Sequence, residues 1–360
     1  MGGPAIRIKQ NFAAISLLKT LVEQGRGATP AEQTILAKYV GWGDSRLAKI
    51  FDEFSDTQDA LKAERDQLRA LVSPAEYDAM RASTLNAHYT SPDVIRFMWS
   101  ALERMGLPSN AKALEPSAGV GHFLGFGPTN VRFTGVELDN ITGGILKALY
   151  PASSVHVQGF EKFSRPDGTF DVVVGNVPFG NFQLAEKRYD KLKLSIHNHF
   201  LVKSMDLTRP GGVVALITSR YTMDSEDQSV RAELAKRGDL IGAVRLPNSA
   251  FEKNAGTVVV TDVLFFRKRA EGTVETGSPF LHVRPMQMAT GSAHINRYFH
   301  DNPEMVLGAH AMTGTQYGSN QYTVEPNTQS PLRQQLTVAL ESLPAGVFGE
   351  KAPSVTSPAS

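Results

Sequence analysis

The tetrapeptide Asn176-Val177-Pro178-Phe179 has the sharpest chemical meaning in the chain. It follows the apolar run Phe170–Gly175, which has the character of a buried strand. A residue before proline is biased to extended geometry, so Val177 is held extended and the direction of its carbonyl is restricted. The Asn176 side-chain oxygen and the Val177 carbonyl can then converge on one amino group. An amine conjugated to an aromatic ring is a poor nucleophile, and two acceptors on its hydrogens favour the pyramidal form that can attack. Phe179 offers a flat apolar face for stacking. The competing reading is a plain turn, because Asn and Pro are both turn residues.

Two further groups precede it. In KALEPSAGVGHFL (112–124) a short strand ends in Glu115, and a small-residue turn with Gly119 and Gly121 leads into a helix beginning near His122. Such a turn lets backbone approach a ligand and presents free helix N–H groups. An ordinary strand-to-helix connection and a phosphate site are the alternatives. The acid at the strand end disfavours an anion and suits a cation. In FTGVELD (133–139) a second strand ends in Glu137, where an acid can accept both ribose hydroxyls of a nucleoside. A solvated acid at a strand end is the bland alternative.

The order EPSAGVG, VELD, NVPF resembles the amino-group DNA methyltransferases that use S-adenosylmethionine, in the gamma-type adenine-N6 arrangement. NAHYTSPDVIRFM (86–98) resembles the segment preceding the glycine motif in that subclass, matching at Tyr89, Thr90 and Pro92. The resemblance spans about residues 86–270. It implies a cofactor site of Tyr89, Thr90, Glu115, Pro116, Ser117, Gly119, Gly121, Glu137, Leu138, Phe160, Glu161 and Asn176. Within it, Glu115 would lie near the methionine ammonium, Glu137 at the ribose, and Phe160-Glu161 at the adenine. Asn176, Val177, Pro178 and Phe179 match the catalytic motif. The departure is Val177, where that family more often has proline, but the acceptor is a peptide carbonyl and Pro178 still restrains it. Within VRLPNSAF (244–251), Phe251 is the candidate for a second aromatic against the target base, with core packing as its alternative. KYVGWG (38–43) and NRYFHDNPEMVLG (296–308) resemble segments flanking the methylase portion of phage and plasmid methylase–helicase proteins, although no GxxxxGKS/T phosphate loop occurs here.

The elements that must position these residues are legible as well. Strand-like runs at 112–115, 131–137, 154–158, 170–175, 212–218, 240–245 and 259–267 alternate with helical stretches. This pattern predicts an α/β, Rossmann-like methyltransferase fold, with a mostly parallel seven-stranded sheet and helices on both faces. The last two runs are joined by a loop and could pair antiparallel at one edge. Residues 1–82 read as a helical module, with Thr29-Pro30-Ala31-Glu32 as one helix start. Residues 83–270 form the methyltransferase domain, and 271–360 a polar extension, partly irregular and disordered from about Gly349.

Composition bounds the rest. Of 360 residues, 41% are hydrophobic and 20% charged, which is globular. The net charge of +1 excludes a polybasic binder as a whole, although residues 181–209 carry a local +3 that could face a phosphate backbone; a solvated helix face is the alternative. Zero cysteines exclude disulfides, thiolate zinc sites and a cysteine nucleophile. The pair His197 and His199 lacks a third ligand, so no metal is expected. No run of about 18 apolar residues occurs, nor a signal-peptide core at the N-terminus, so a cytoplasmic protein is expected. The resulting expectation is methyl transfer from S-adenosylmethionine to N6 of a flipped-out adenine in double-stranded DNA. RNA adenine, a protein glutamine amide and a non-catalytic DNA-binding subunit are the alternatives. Only about 90 residues follow Arg269. Low sequence specificity is therefore expected, or a separate recognition or helicase partner.

Overall fold

The computed structural model describes residues 3–52, 61–84, 90–251, 259–270, 272–273, 279–314 and 321–349. Tyr89 and the terminal residues expected to be disordered beyond Gly349 lie outside these. Seven strands form one sheet: β1 (Lys112–Glu115), β2 (Arg132–Glu137), β3 (Ser154–Val157), β4 (Phe170–Asn176), β5 (Thr208–Ser219), β6 (Gly238–Leu246) and β7 (Thr261–Lys268). Their spatial order is β3-β2-β1-β4-β5-β7-β6. All seven apolar runs become strands because a sheet covered on both faces needs continuous apolar segments. The pairs from β3 through to β5 are parallel, and β7 runs antiparallel between β5 and β6. The expected antiparallel pairing of the last two strands is present. The strand that turns against the others is interior, and the edge belongs to β6.

Helices α1 (Pro4–Glu23), α2 (Pro30–Leu36), α3 (Ser45–Ala48), α4 (Lys62–Leu71) and α5 (Pro74–Ser83) precede the sheet. The start of α2 is set as its sequence demands: Thr29 and Glu32 form a reciprocal capping box with Pro30 at the first turn. These helices bury their own core, in which the rings of Phe12, Trp42, Phe51 and Tyr77 pack in series, the first pair tilted and the next two T-shaped. Trp42 and Tyr39 of the KYVGWG segment fill that core. Asn11 pins the Gly41 turn by donating to its carbonyl (2.7 Å) and accepting from the Val40 N–H (2.9 Å). The same core includes Val120, Ile141 and Ile145 of the sheet region.

The remaining helices are α6 (Pro92–Arg104), α7 (His122–Phe126), α8 (Asn140–Leu149), α9 (Ile196–Leu207), α10 (Tyr221–Asp224), α11 (Ser229–Arg237), α12 (Arg297–Asp301) and α13 (Leu332–Ser342). The strand order reverses direction between β1 and β4, and helix-containing crossovers join the parallel strands on either side of that point.

The C-terminal extension is more regular than its polar composition suggests. It holds two hairpins, Val283–Met288 with Gly291–Asn296 and Ala309–Gly314 with Gln321–Glu325, and α13 packs on α6. A buried ion cluster joins it to the sheet. Arg245 of β6 pairs bidentately with Asp262 of β7 (2.8 Å each), reaches Asp224 (2.7 Å) and Tyr322 (3.2 Å), and lies over the Phe299 ring. Asp224 also accepts from the Asn296 N–H at 2.9 Å. No helix among the described residues is long and apolar enough to cross a membrane.

Candidate active site

Strand ends bring the candidate residues together. Glu115, Glu137 and Asn176 close β1, β2 and β4, and Phe160-Glu161 follow β3, all at the carboxyl ends of parallel strands. The crevice between β1 and β4, where the strand order reverses, is the ligand position that open α/β sheets favour.

Glu115 is 2% exposed, and its Oε2 has no hydrogen-bond partner. Burial pushes its carboxyl well above the ordinary range, and the nearby Glu137 pushes it the same way. A buried acid with an unmatched oxygen fits a cationic group. Its Cγ lies 3.2 Å from where a Gly175 Cβ would stand, so β1 packs directly against the residue before Asn176.

The glycine turn is tied to β2. The Ala118 N–H donates to the Val136 carbonyl (2.8 Å), and the Gly119 N–H donates to Glu137 Oε2 (2.8 Å). Glu137 Oε1 accepts the Asp139 N–H at 2.9 Å. Burial still dominates and brings Glu137 up to about 7, against the pull of these donors. Gly121 has φ +84, and a Cβ there would meet Tyr150 at 2.5 Å and Leu146 at 2.6 Å. Gly119 has φ +55 and faces open space, as a cradle should. Leu138, immediately after Glu137, is 74% exposed and leaves an apolar side chain beside the acid.

Asn176 pairs in register with Ile217 of β5, and the Val177 N–H donates to the Ile217 carbonyl at 3.2 Å. Val177 turns its side chain into the core, while Phe179 is half-buried against the core.

Several expected residues have other partners or are covered. Thr90 is buried just before α6, and among the described residues no hydrogen bond ties it to the strand ends. Phe160 is buried against Phe163 and Phe200, and its carbonyl accepts from Lys203 Nζ (2.7 Å), so its ring packs as core. The Glu161 carboxylate folds over Gly159. Phe251 is fully buried in the main core and presents no face to a base, which corrects the expectation for it. The basic segment 181–209 is partly consumed internally. Arg188 pairs with Asp167 and Asp206, Lys203 with Glu186, and Arg209 with Asp171. Lys187, Lys191 and Lys193 remain exposed.

Phe182 was not singled out from the sequence, and His197 was weighed there only as a metal ligand. Phe182 is 45% exposed, and its ring stands 2.6 Å from where a Gly180 Cβ would be, next to the Asn176–Phe179 turn. Its proximity to NVPF was the available signal. His197 is 6% exposed and hydrogen-bonds the Gly180 backbone; burial lowers its pKa to about 4. No sequence signal distinguished it from a core histidine.

Residues 135–250, from β2 almost to Phe251, match the profile of the family described as Eco57I restriction-modification methylase. Defense against restriction protein B of Escherichia phage P1 is 28% identical over 290 residues. That alignment covers 79% of this chain and 11% of the relative, so the chain spans about a ninth of that protein's length. Among solved structures, a class I S-adenosylmethionine-dependent methyltransferase of Listeria monocytogenes aligns at 16% identity and a TM-score of 0.46, covering 76% of this chain and 91% of that one. The methyltransferase subunit of a type I restriction-modification system from Streptococcus thermophilus aligns at 13% and 0.45, covering 74% and 80%. The match to the restriction-modification methylase profile thus covers about a third of the chain, from β2 to the end of β6. The matched residues lie in the seven-stranded sheet of order β3-β2-β1-β4-β5-β7-β6.

Proposed function

We propose that the chain transfers a methyl group from S-adenosylmethionine to the N6 amino group of adenine in double-stranded DNA. The observation that carries this reading is the Asn176–Phe179 turn at the carboxyl end of β4, packed through Gly175 against the buried Glu115. When bound, the cofactor supplies an electrophilic methyl group. Glu115 would hold its ammonium and Glu137 its ribose hydroxyls; Tyr89, Thr90, Pro116, Ser117, Leu138, Phe160 and Glu161 would complete that site in this proposal. Asn176 and the Val177 carbonyl accept from the target amine and orient its lone pair. Orientation of this kind supplies much of the rate, because the reacting atoms are already near contact. The proton leaves to water after transfer.

Phe179 stacks on the base. Because Phe251 is buried, the exposed Phe182 is the candidate for a second aromatic contact. Stacking offsets the few kcal/mol that extrusion from the duplex costs. The name of the phage relative points the same way, since methylation shields DNA from a restriction enzyme. Sequence recognition falls to a partner or a further domain, or is weak.

The test is transfer of labelled methyl from S-adenosylmethionine to unmethylated duplex DNA, with RNA and protein offered in parallel and the DNA digested to nucleosides. N6-methyladenine is the expected product. Label on RNA or on glutamine would move the substrate. Label on none, with the cofactor bound, would leave a non-catalytic subunit.

A further inference from the structure

The opposite edge of the sheet carries a second site. A cleft of about 760 Å³ opens at the amino ends of β1 to β4, away from Glu115 and Asn176. Lys112, Arg132 and Arg165 line it, together with several hydroxyl side chains, and no acid does. Lys112 and Arg132 are register partners on adjacent parallel strands. Neighbouring strands lie about 4.8 Å apart, and like charges set directly opposite are destabilising. Neither side chain has a carboxylate partner among the described residues; the Lys112 backbone N–H donates to Asp171 Oδ2 (2.8 Å), and that carboxylate is paired with Arg209. The Arg165 guanidinium donates to the Ser164 carbonyl (2.9 Å) and to His156 Nε2 (3.0 Å), and stacks over Phe163, again without an acid. Three cationic side chains therefore line one concavity without a salt bridge to an acid among the described residues. An anion with several oxygens would relieve the repulsion and accept charge-assisted hydrogen bonds from both arginines.

We propose that this cleft binds a phosphate-bearing ligand, by contacts from Lys112, Arg132 and Arg165, independently of the methyl-transfer site. The phosphates could be those of a nucleic-acid backbone or of a free phosphate compound, and the test separates the two. Binding of pyrophosphate is measured by calorimetry at low salt, and binding of a labelled DNA duplex by fluorescence anisotropy across a salt series. The proteins are the wild type, Lys112→Gln, Arg132→Gln, the double variant, and Arg333→Gln on α13 as an exposed control, with melting curves recorded for each. The expected result is pyrophosphate binding that weakens at least tenfold in the double variant and stays unchanged in the control. If DNA is the natural source, the double variant also binds duplex more weakly, and its slope of log affinity against log salt is shallower by about 2. Unchanged duplex binding with lost pyrophosphate binding assigns the cleft to a free phosphate compound. The proposal is overturned if the wild type binds neither probe, or if folded single and double variants bind both as the wild type does.

Discussion

Replacing Glu137 with glutamine isolates the electrostatics of the strand-end acids. In the folded chain burial brings the Glu137 carboxyl up to about 7, from an ordinary value of 4.5. Between those pH values the folded state keeps a proton that the unfolded chain has released. Stability from this group is therefore complete below about 4.5 and is lost as pH rises to about 7. The difference corresponds to about 3 kcal/mol at most, reduced because part of Glu137 remains open to water. His197 works in the opposite direction. Its pKa is lowered from 6.5 to about 4, so stability is gained as pH rises through that interval. The two effects overlap in the wild type and mask each other. Subtracting the Glu137→Gln variant removes the histidine contribution. Glutamine has one acceptor oxygen for the two N–H groups of Gly119 and Asp139, which adds a pH-independent loss of about 1–3 kcal/mol. Superimposed on that loss, the variant should gain about 2–3 kcal/mol relative to wild type between pH 5 and 8. Urea unfolding of cofactor-free protein at four pH values gives the comparison. Parallel stability curves for the two proteins would refute the reasoning.

Other substitutions read different parts of the account. Gly121→Ala combines a left-handed φ with a clash against Tyr150 and Leu146, and should cost about 2–5 kcal/mol in urea unfolding. Gly119→Ala, at φ +55 in open space, should cost only about 1–2 kcal/mol and should act mainly on cofactor affinity by calorimetry. Arg245→Met leaves the buried Asp262 carboxylate without its ion-pair partner and Asp224 with Arg220 alone, and should destabilise by about 3–5 kcal/mol in the same assay. Phe251→Ala should cost about 3–5 kcal/mol as a core truncation. Phe179→Ala, half-buried, should cost less stability and lose more of the methyl-transfer rate.

Much of this arrangement was legible in the sequence, for physical reasons. Strands buried on both faces must be continuous apolar runs, so all seven stood out. Glu115, Glu137 and Asn176 stood at their ends, because a parallel sheet exposes its carboxyl ends as one row. Pairing order was not legible: β7 enters between β5 and β6 through contacts far apart in sequence, and nothing local in Thr261–Lys268 encodes its neighbours. The C-terminal hairpins were missed because Val283–Met288 and Gln321–Glu325 are short and mixed in polarity, so their strand character comes from partners. Charge counting misled over residues 181–209, since Arg188, Lys203 and Arg209 meet acids from elsewhere in the chain or nearby. Phe251 and Phe182 show the same limit from the other side. Both are aromatics near a motif, and only the packed structure reveals that one is covered and the other open.

The central claim is that the Asn176–Phe179 turn performs the chemistry beside a cofactor held by other residues. Single-turnover transfer of labelled methyl to adenine-containing duplex tests it most directly, comparing wild type with Asn176→Ala while cofactor affinity is measured on the same preparations. The account predicts N6-methyladenine from the wild type, and a loss of at least a hundredfold in rate in the variant with cofactor affinity within a few-fold. Equal rates in the two proteins would contradict it.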